Sequence, residues 1–244
     1  MKLEKMNEIE YDLKKLSHIF GEILEKYRQY EFEANLAEIC LKLYNFKISY
    51  LAPAYHLNRF DTVTKEYYEI DLPNIFKKGV IDENEITLSL TKLHLEFNSV
   101  LYSIKMSLDR IVFFMSKFYK GITPHNTFGR ITEGGKPKSM MAEVVRLKDS
   151  DEIMKLIYIN YKDWISEAVK PRDTITHYEN LSLDFLPIDN FKSTLTFSHS
   201  DKNIKNFGRT ELKNYIDKWY LFIDELLNLI LVEKINISTN NGYE

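Results

Sequence analysis

The residues best equipped for chemistry are six in a row, Arg172-Asp173-Thr174-Ile175-Thr176-His177, directly after Pro171. They join a permanently charged guanidinium to an imidazole that titrates near neutrality. That pair suits a phosphate ester: the arginine grips it through two parallel N–H bonds while the histidine moves a proton. A proline is at home in the first turn of a helix, so Pro171 reads as the opening of one. Backbone N–H groups are unpaired there, and the helix dipole favours an anion. Asp173 and His177 stand four residues apart, close enough on a helix for the carboxylate to orient the ring. Arg172 lies about 140° round the helix from His177, so its long side chain must bend across to share a ligand.

The rest of the chain has to position this stretch. Its 244 residues suffice for one large domain or two small ones with a sizeable core. Hydrophobic residues make up 44% and charged ones 28%, a globular mixture and not a disordered one. With only 8 glycines and 6 prolines the turns are few, so the elements are long, and long elements are helices. The formal charge of −3 gives no global attraction to nucleic acid and leaves only local fields to supply it. The single cysteine, Cys40, excludes an intrachain disulfide and a Cys-rich zinc site. The opening MKLEKMNEIEYDLKK is charged throughout, unlike a signal peptide. No apolar run approaches the roughly 18–20 residues of a membrane span. These features predict no membrane partner and a reducing, cytoplasmic setting. Lys, Ile, Asn, Tyr and Phe are abundant as AT-rich codons would make them, so the 14% aromatic content is no evidence of base stacking.

Periodicity predicts an all-α bundle of about five or six helices in a single domain over 1–244. A stripe at alternating steps of three and four, from Met6 through Leu13, Phe20, Tyr27, Ala34 and Leu41 to Tyr44, predicts one long N-terminal helix over 1–47. Residues 48–80, with Pro53, Pro73 and Gly79, read as loops with a short helix at most. A second long helix begins near Asp82, with Glu85 as a capping-box partner, and carries Ile86, Leu90, Leu93, Phe97, Val100, Ile104, Leu108, Ile111, Met115 and Phe118. Residues 120–148 read as a loop. Six basic residues (Lys120, Arg130, Lys136, Lys138, Arg146 and Lys148) oppose Glu133 and Glu143, a local balance of +4 in a net acidic chain. A third helix starts near Ser150 and runs through Trp164 to Ala168. The motif helix follows Pro171. Residues 181–207 are irregular, with strand-like alternation at Leu181, Leu183, Phe185 and at Leu195, Phe197. A last helix after Gly208 carries Leu212, Ile216, Trp219, Ile223, Leu226 and Ile230.

Arg-Asp-x-x-x-His at the start of a helix, in a helical chain, resembles the signature of the HEPN superfamily. That signature is an arginine, a polar residue, and a histidine after four to six intervening positions; Arg172, Asp173 and His177 match these three places. The segment Ser107-Leu108-Asp109-Arg110-Ile111-Val112-Phe113-Phe114 is similar to the long helix that packs on the motif helix in prokaryotic members. The resemblance covers 82–234 as a HEPN-like core, with the helix over 1–47 as an addition packed on it. It implies a bundle that dimerises so that two motifs face one another across a cleft. Many members are metal-independent endoribonucleases of defence, toxin–antitoxin or RNA-processing systems; others are inactive or bind nucleotides. One subgroup carries a tyrosine two residues after the histidine, modified by its antitoxin; here Glu179 holds that place and Tyr178 precedes it.

The chemistry agrees. Metal-free RNA cleavage needs a base for the 2′-hydroxyl proton, an acid for the leaving 5′-oxygen and a cation on the phosphorane. One chain offers one histidine here, and a symmetric dimer would supply two. In this reading His177 is the general base or acid, Arg172 the transition-state clamp and Asp173 the orienting residue. RNA or a nucleotide is the ligand, and the partners are a second copy and an antitoxin or other protein. No cofactor or metal is expected. The alternative is a non-catalytic helical dimer that binds a nucleotide or a partner protein through the same cleft; a third is a purely structural protein.

Other candidates are weaker. The loop Gly129-Arg-Ile-Thr-Glu-Gly134-Gly135-Lys136-Pro137 has the outline of a P-loop, but an extra glycine precedes Lys136 and Pro137 stands where Ser or Thr is needed. It reads instead as a solvated or RNA-facing basic loop. His18 and His94 fall in long helices, and His56, His125 and His199 in loops without ligand-spaced partners. Trp164 and Trp219 are core residues of helix stripes. Asp109 and Arg110 are candidates to support the site from the neighbouring helix.

Overall fold

The computed structural model describes residues 18, 21, 22, 25, 33–77, 83–132, 134–170, 182–188, 192–198 and 207–235. The fold is an all-α helical bundle carrying a small sheet. Helix α1 spans Glu33–Glu66 and passes into a π-helical segment Tyr67–Asp71 and then α2, Leu72–Lys77. Helix α3 is Glu83–Phe118, α4 is Met140–Leu147, and α5 is Glu152–Asn160, continued by a second π segment, Tyr161–Ile165. Strands β1 (Ser182–Ile188), β2 (Lys192–Ser198) and β3 (Phe207–Gly208) follow. Helix α6, Arg209–Leu229, ends in a third π segment, Ile230–Ile235.

Two expectations need correction. Residues 48–77 are not loops: α1 runs through Pro53 to Glu66, and helical turns continue to Lys77. A proline inside a helix costs about 3 kcal/mol, yet Pro53 is buried within an unbroken stripe of Phe46, Tyr50, Leu57, Phe60, Val63 and Tyr67, each at most 5% exposed. Packing on both sides outweighs the missing hydrogen bond. The predicted helix end at 47 is thus some twenty residues early, and His56 is helical. The loop assigned to 120–148 also contains α4, whose Met140, Met141 and Val144 are fully buried.

The chain divides into two compact units. The first draws on Met1–Tyr50, Met106–Ser166 and Lys218–Glu244. Its core joins Phe46, Leu108, Ile111, Met115, Ile153, Ile157, Trp164, Trp219 and Phe222, all within 2% of full burial. Phe46 meets Phe114 edge-on at 5.6 Å, and Trp164 meets Phe222 likewise at 6.4 Å, the arrangement that opposed ring quadrupoles favour. Both tryptophans are core residues, as their stripes predict.

The second unit draws on Leu51–Lys105 and Glu167–Asp217. Here Leu57, Phe60 and Val63 of α1 are buried with Leu93, Phe97, Val100 and Ile104 of α3 and Leu212 and Ile216 of α6. Phe60 and Phe97 meet edge-on at 5.9 Å. Strands β1 and β2 pair antiparallel from Ser182 opposite Ser198 to Ile188 opposite Lys192, and β2 pairs with β3 through Phe197 and Phe207. The alternation at Leu183, Phe185, Leu195 and Phe197 therefore marked a hairpin. Gly208 N–H donates to Glu211 at 2.7 Å, closing the first turn of α6.

Candidate functional site

Arg172, Asp173 and His177 lie outside the described residues, as do Tyr178, Glu179 and His199. The chain leading to them is α5 and its π-helical continuation. Asp151 caps α5 by accepting from Met154 N–H at 3.0 Å, and Trp164 in the following π segment donates to Asn160 at 2.9 Å. Helix continues through Lys170, with Ala168 and Val169 buried. The motif thus follows a firmly packed helix.

The segment between α3 and α4 is the most built feature among the described polar regions. Phe128 is 1% exposed, and its N–H donates to Asp109 at 2.8 Å. Asp109, a candidate to support the motif, thus serves to tether this segment to α3; Arg110 is exposed. Beyond Phe128 the chain makes a tight antiparallel turn. Ile131 pairs with Pro137, Thr132 N–H donates to Lys136 at 3.0 Å, and Lys138 N–H donates to Arg130 at 2.9 Å. Tyr161 of the second π segment accepts from Ile131 N–H at 2.8 Å. Gly129 enters the hairpin at φ 78°, and a Cβ there would strike the Lys138 carbonyl and Ser139. The P-loop outline is therefore a hairpin in space.

Of the six basic residues in this stretch, Arg146 is committed to Glu143 through two hydrogen bonds, at 2.8 and 2.5 Å, and Lys148 to Asp149 at 2.8 Å. That guanidinium holds the Glu143 carboxyl below the usual carboxylate range. Lys120, Lys136 and Lys138 are exposed and make no ion pair among the described residues.

Two further polar clusters were invisible in the sequence. In the first unit Asp151 accepts from Tyr119 at 2.8 Å through each oxygen and from Lys234 at 2.7 Å. The Lys234 ammonium also sits 4.5 Å from the Tyr119 ring centre. Burial works against the Asp151 charge, but Lys234, the Met154 N–H and Tyr119 together outweigh it and hold the carboxyl below its ordinary value. Burial, then the same carboxylate, push the Tyr119 hydroxyl up. A group so held does not exchange protons near neutrality; the cluster is a brace. In the second unit His56 and Arg59, one turn apart on α1, both reach Glu96 of α3, at 3.3 and 3.5 Å.

The second unit also has a groove of about 360 Å³ beside Asp71, Asn74, Lys77, Ser89 and Lys92, in which Ser89 donates to Asp71 at 2.6 Å. His94 is pushed down by burial, His18 and His125 are exposed, and no group of three metal-ligating side chains occurs among the described residues. No described helix is long and apolar enough to cross a membrane.

The class that the fold defines is an all-α helical-bundle protein. No protein-family model, curated protein or solved structure matches the chain.

Proposed function

We propose that the chain is a HEPN-type, metal-independent endoribonuclease that acts as a homodimer in a cytoplasmic setting. The observation that carries this reading is Arg172-Asp173-x-x-x-His177 directly after Pro171. The all-α bundle is the kind of scaffold the resemblance implies. Arg172 neutralises charge on the scissile phosphate, His177 transfers the proton, and Asp173 fixes the ring. Two copies supply the acid and the base that one histidine cannot provide at once.

Labelled RNA incubated with purified protein in EDTA tests this directly. Cleavage to 2′,3′-cyclic phosphate ends is expected, falling by roughly 10²–10⁴ in His177→Ala and severely in Arg172→Ala. Activity that survives both substitutions would sink the assignment of these residues. A folded dimer that cleaves nothing yet binds nucleotides would favour the non-catalytic reading.

A further inference from the structure

Helix α3 turns an apolar ridge to solvent. Its buried side carries Leu93, Phe97, Val100, Ile104 and Leu108, none of them exposed at all. On the opposite side Leu88 is 59% exposed, Leu95 61%, Tyr102 37% and Met106 39%. Positions 88, 92, 95, 99, 102 and 106 alternate steps of four and three. That is the heptad spacing of a two-helix seam, with Leu88, Leu95 and Tyr102 in one register position and Lys92, Ser99 and Met106 in the other. Ser99 is turned back on its own helix and donates to the Leu95 carbonyl at 2.7 Å, so its hydroxyl asks nothing of a partner. The outer face of a helix in water ordinarily carries charge. Four large apolar side chains along about 27 Å of one helix make a surface built for contact.

The pattern also selects what covers it. Two such ridges laid antiparallel pack one register position against the other. With Leu88 level with Met106 of a second copy, Lys92 stands level with Tyr102 and Leu95 with Ser99, and two-fold symmetry repeats each pair in reverse. Each pair is complementary: two apolar chains, an ammonium beside an aromatic ring, and a large residue beside a small one. At either end Arg110, exposed and without an ion pair among the described residues, comes level with Asn84 and Glu85 of the second copy. Asp109, the like charge nearest Glu85, is drawn instead to the Phe128 N–H at 2.8 Å. A parallel pairing would set Lys92 against Lys92 and Arg110 against Arg110, which like charges oppose.

We infer that this face of α3 binds a second copy of the chain as an antiparallel helix pair. The inference gives the homodimer of the endoribonuclease reading a location, but it rests on α3 alone and not on Arg172–His177.

Sedimentation equilibrium of the full chain tests it, and the parent is expected at twice the mass of one chain. Leu95→Glu sets a carboxylate at both symmetric copies of the position and should weaken the dimer about a hundredfold, tenfold for each copy. Leu221→Glu alters an exposed leucine of α6 and should leave the dimer intact. Both side chains project into water, so thermal melting of either variant should match the parent. Register is read by mild oxidation in a Cys40→Ser background. Leu95→Cys mixed with Ser99→Cys should form a disulfide-linked dimer faster than Leu95→Cys alone. A monomeric parent, equal weakening in Leu95→Glu and Leu221→Glu, or fastest linking of Leu95→Cys to itself would each overturn the proposal. RNA cleavage measured alongside keeps the two readings apart. A dimer that dissociates in Leu95→Glu but never cleaves keeps the face and removes the nuclease; cleavage by a monomeric parent does the reverse.

Discussion

The Gly129–Ser139 hairpin and the Asp151 brace belong to the same unit and are built on opposite terms. Around Asp151 every strong group has a partner: two carboxylate oxygens receive a phenol, an ammonium and a backbone N–H. Around the hairpin the strands are joined by backbone bonds, and Lys136 and Lys138 face solvent, Lys138 opposite Arg130 and Lys136 opposite Thr132. A closed network of buried polar groups fixes geometry, since each member would be costly to leave unpaired. Perturbed ionisation is therefore a poor guide here. The Tyr119 hydroxyl, pushed up by burial and by Asp151, belongs to the brace.

Breaking the brace gives the largest effect on stability. Asp151→Ala removes the α5 cap and leaves Lys234 and Tyr119 without their acceptor, for an expected loss of about 3 kcal/mol. Chemical denaturation checks it. The pH dependence has a definite sign. Asp151 has its folded pKa below the unfolded value. Its contribution is thus complete above the unfolded carboxyl pKa of about 3.9 and is lost as pH falls through the folded value. The melting temperature should fall more steeply with acid below about pH 4 in the parent than in Asp151→Asn.

Gly129→Ala addresses the scaffold of the hairpin. The substitution meets both a positive φ and a carbonyl in the way, so a loss of about 2 kcal/mol is expected, checked by thermal melting.

The stripes of α3 and α6 were legible because burial at 3.6-residue intervals repeats many times; Leu93, Phe97, Ile104 and Leu108 are wholly buried. The helix through Pro53 was legible too, in Phe46, Tyr50, Leu57, Phe60 and Val63, but a proline ends most helices, and only a buried stripe on both sides overrides it. The hairpin announced itself only through Gly129 and Gly135, since a single pair such as Ile131 and Pro137 has no periodicity to read. The long-range bonds were not legible at all. Asp151 and Lys234 are separated by 83 positions, and Asp109 and Phe128 by 19. Three residues that make such long-range bonds share a feature that propensity does not show. Asp71, Tyr161 and Lys234 each lie in a π-helical segment and each makes a bond to a distant element. A widened turn re-aims a side chain that the α spacing would send elsewhere. The motif at Arg172–His177 remains a reading of sequence alone.

The smallest effect sharpens the comparison most. Lys138→Glu turns the like-charge pair with Arg130 into an opposite-charge pair on the same face. Such a swap is worth roughly 0.2–1 kcal/mol across an antiparallel pair, so the variant should be slightly more stable than the parent. If Lys138→Glu instead destabilises, Lys138 holds the hairpin together, and the distinction between the closed brace and the hairpin disappears.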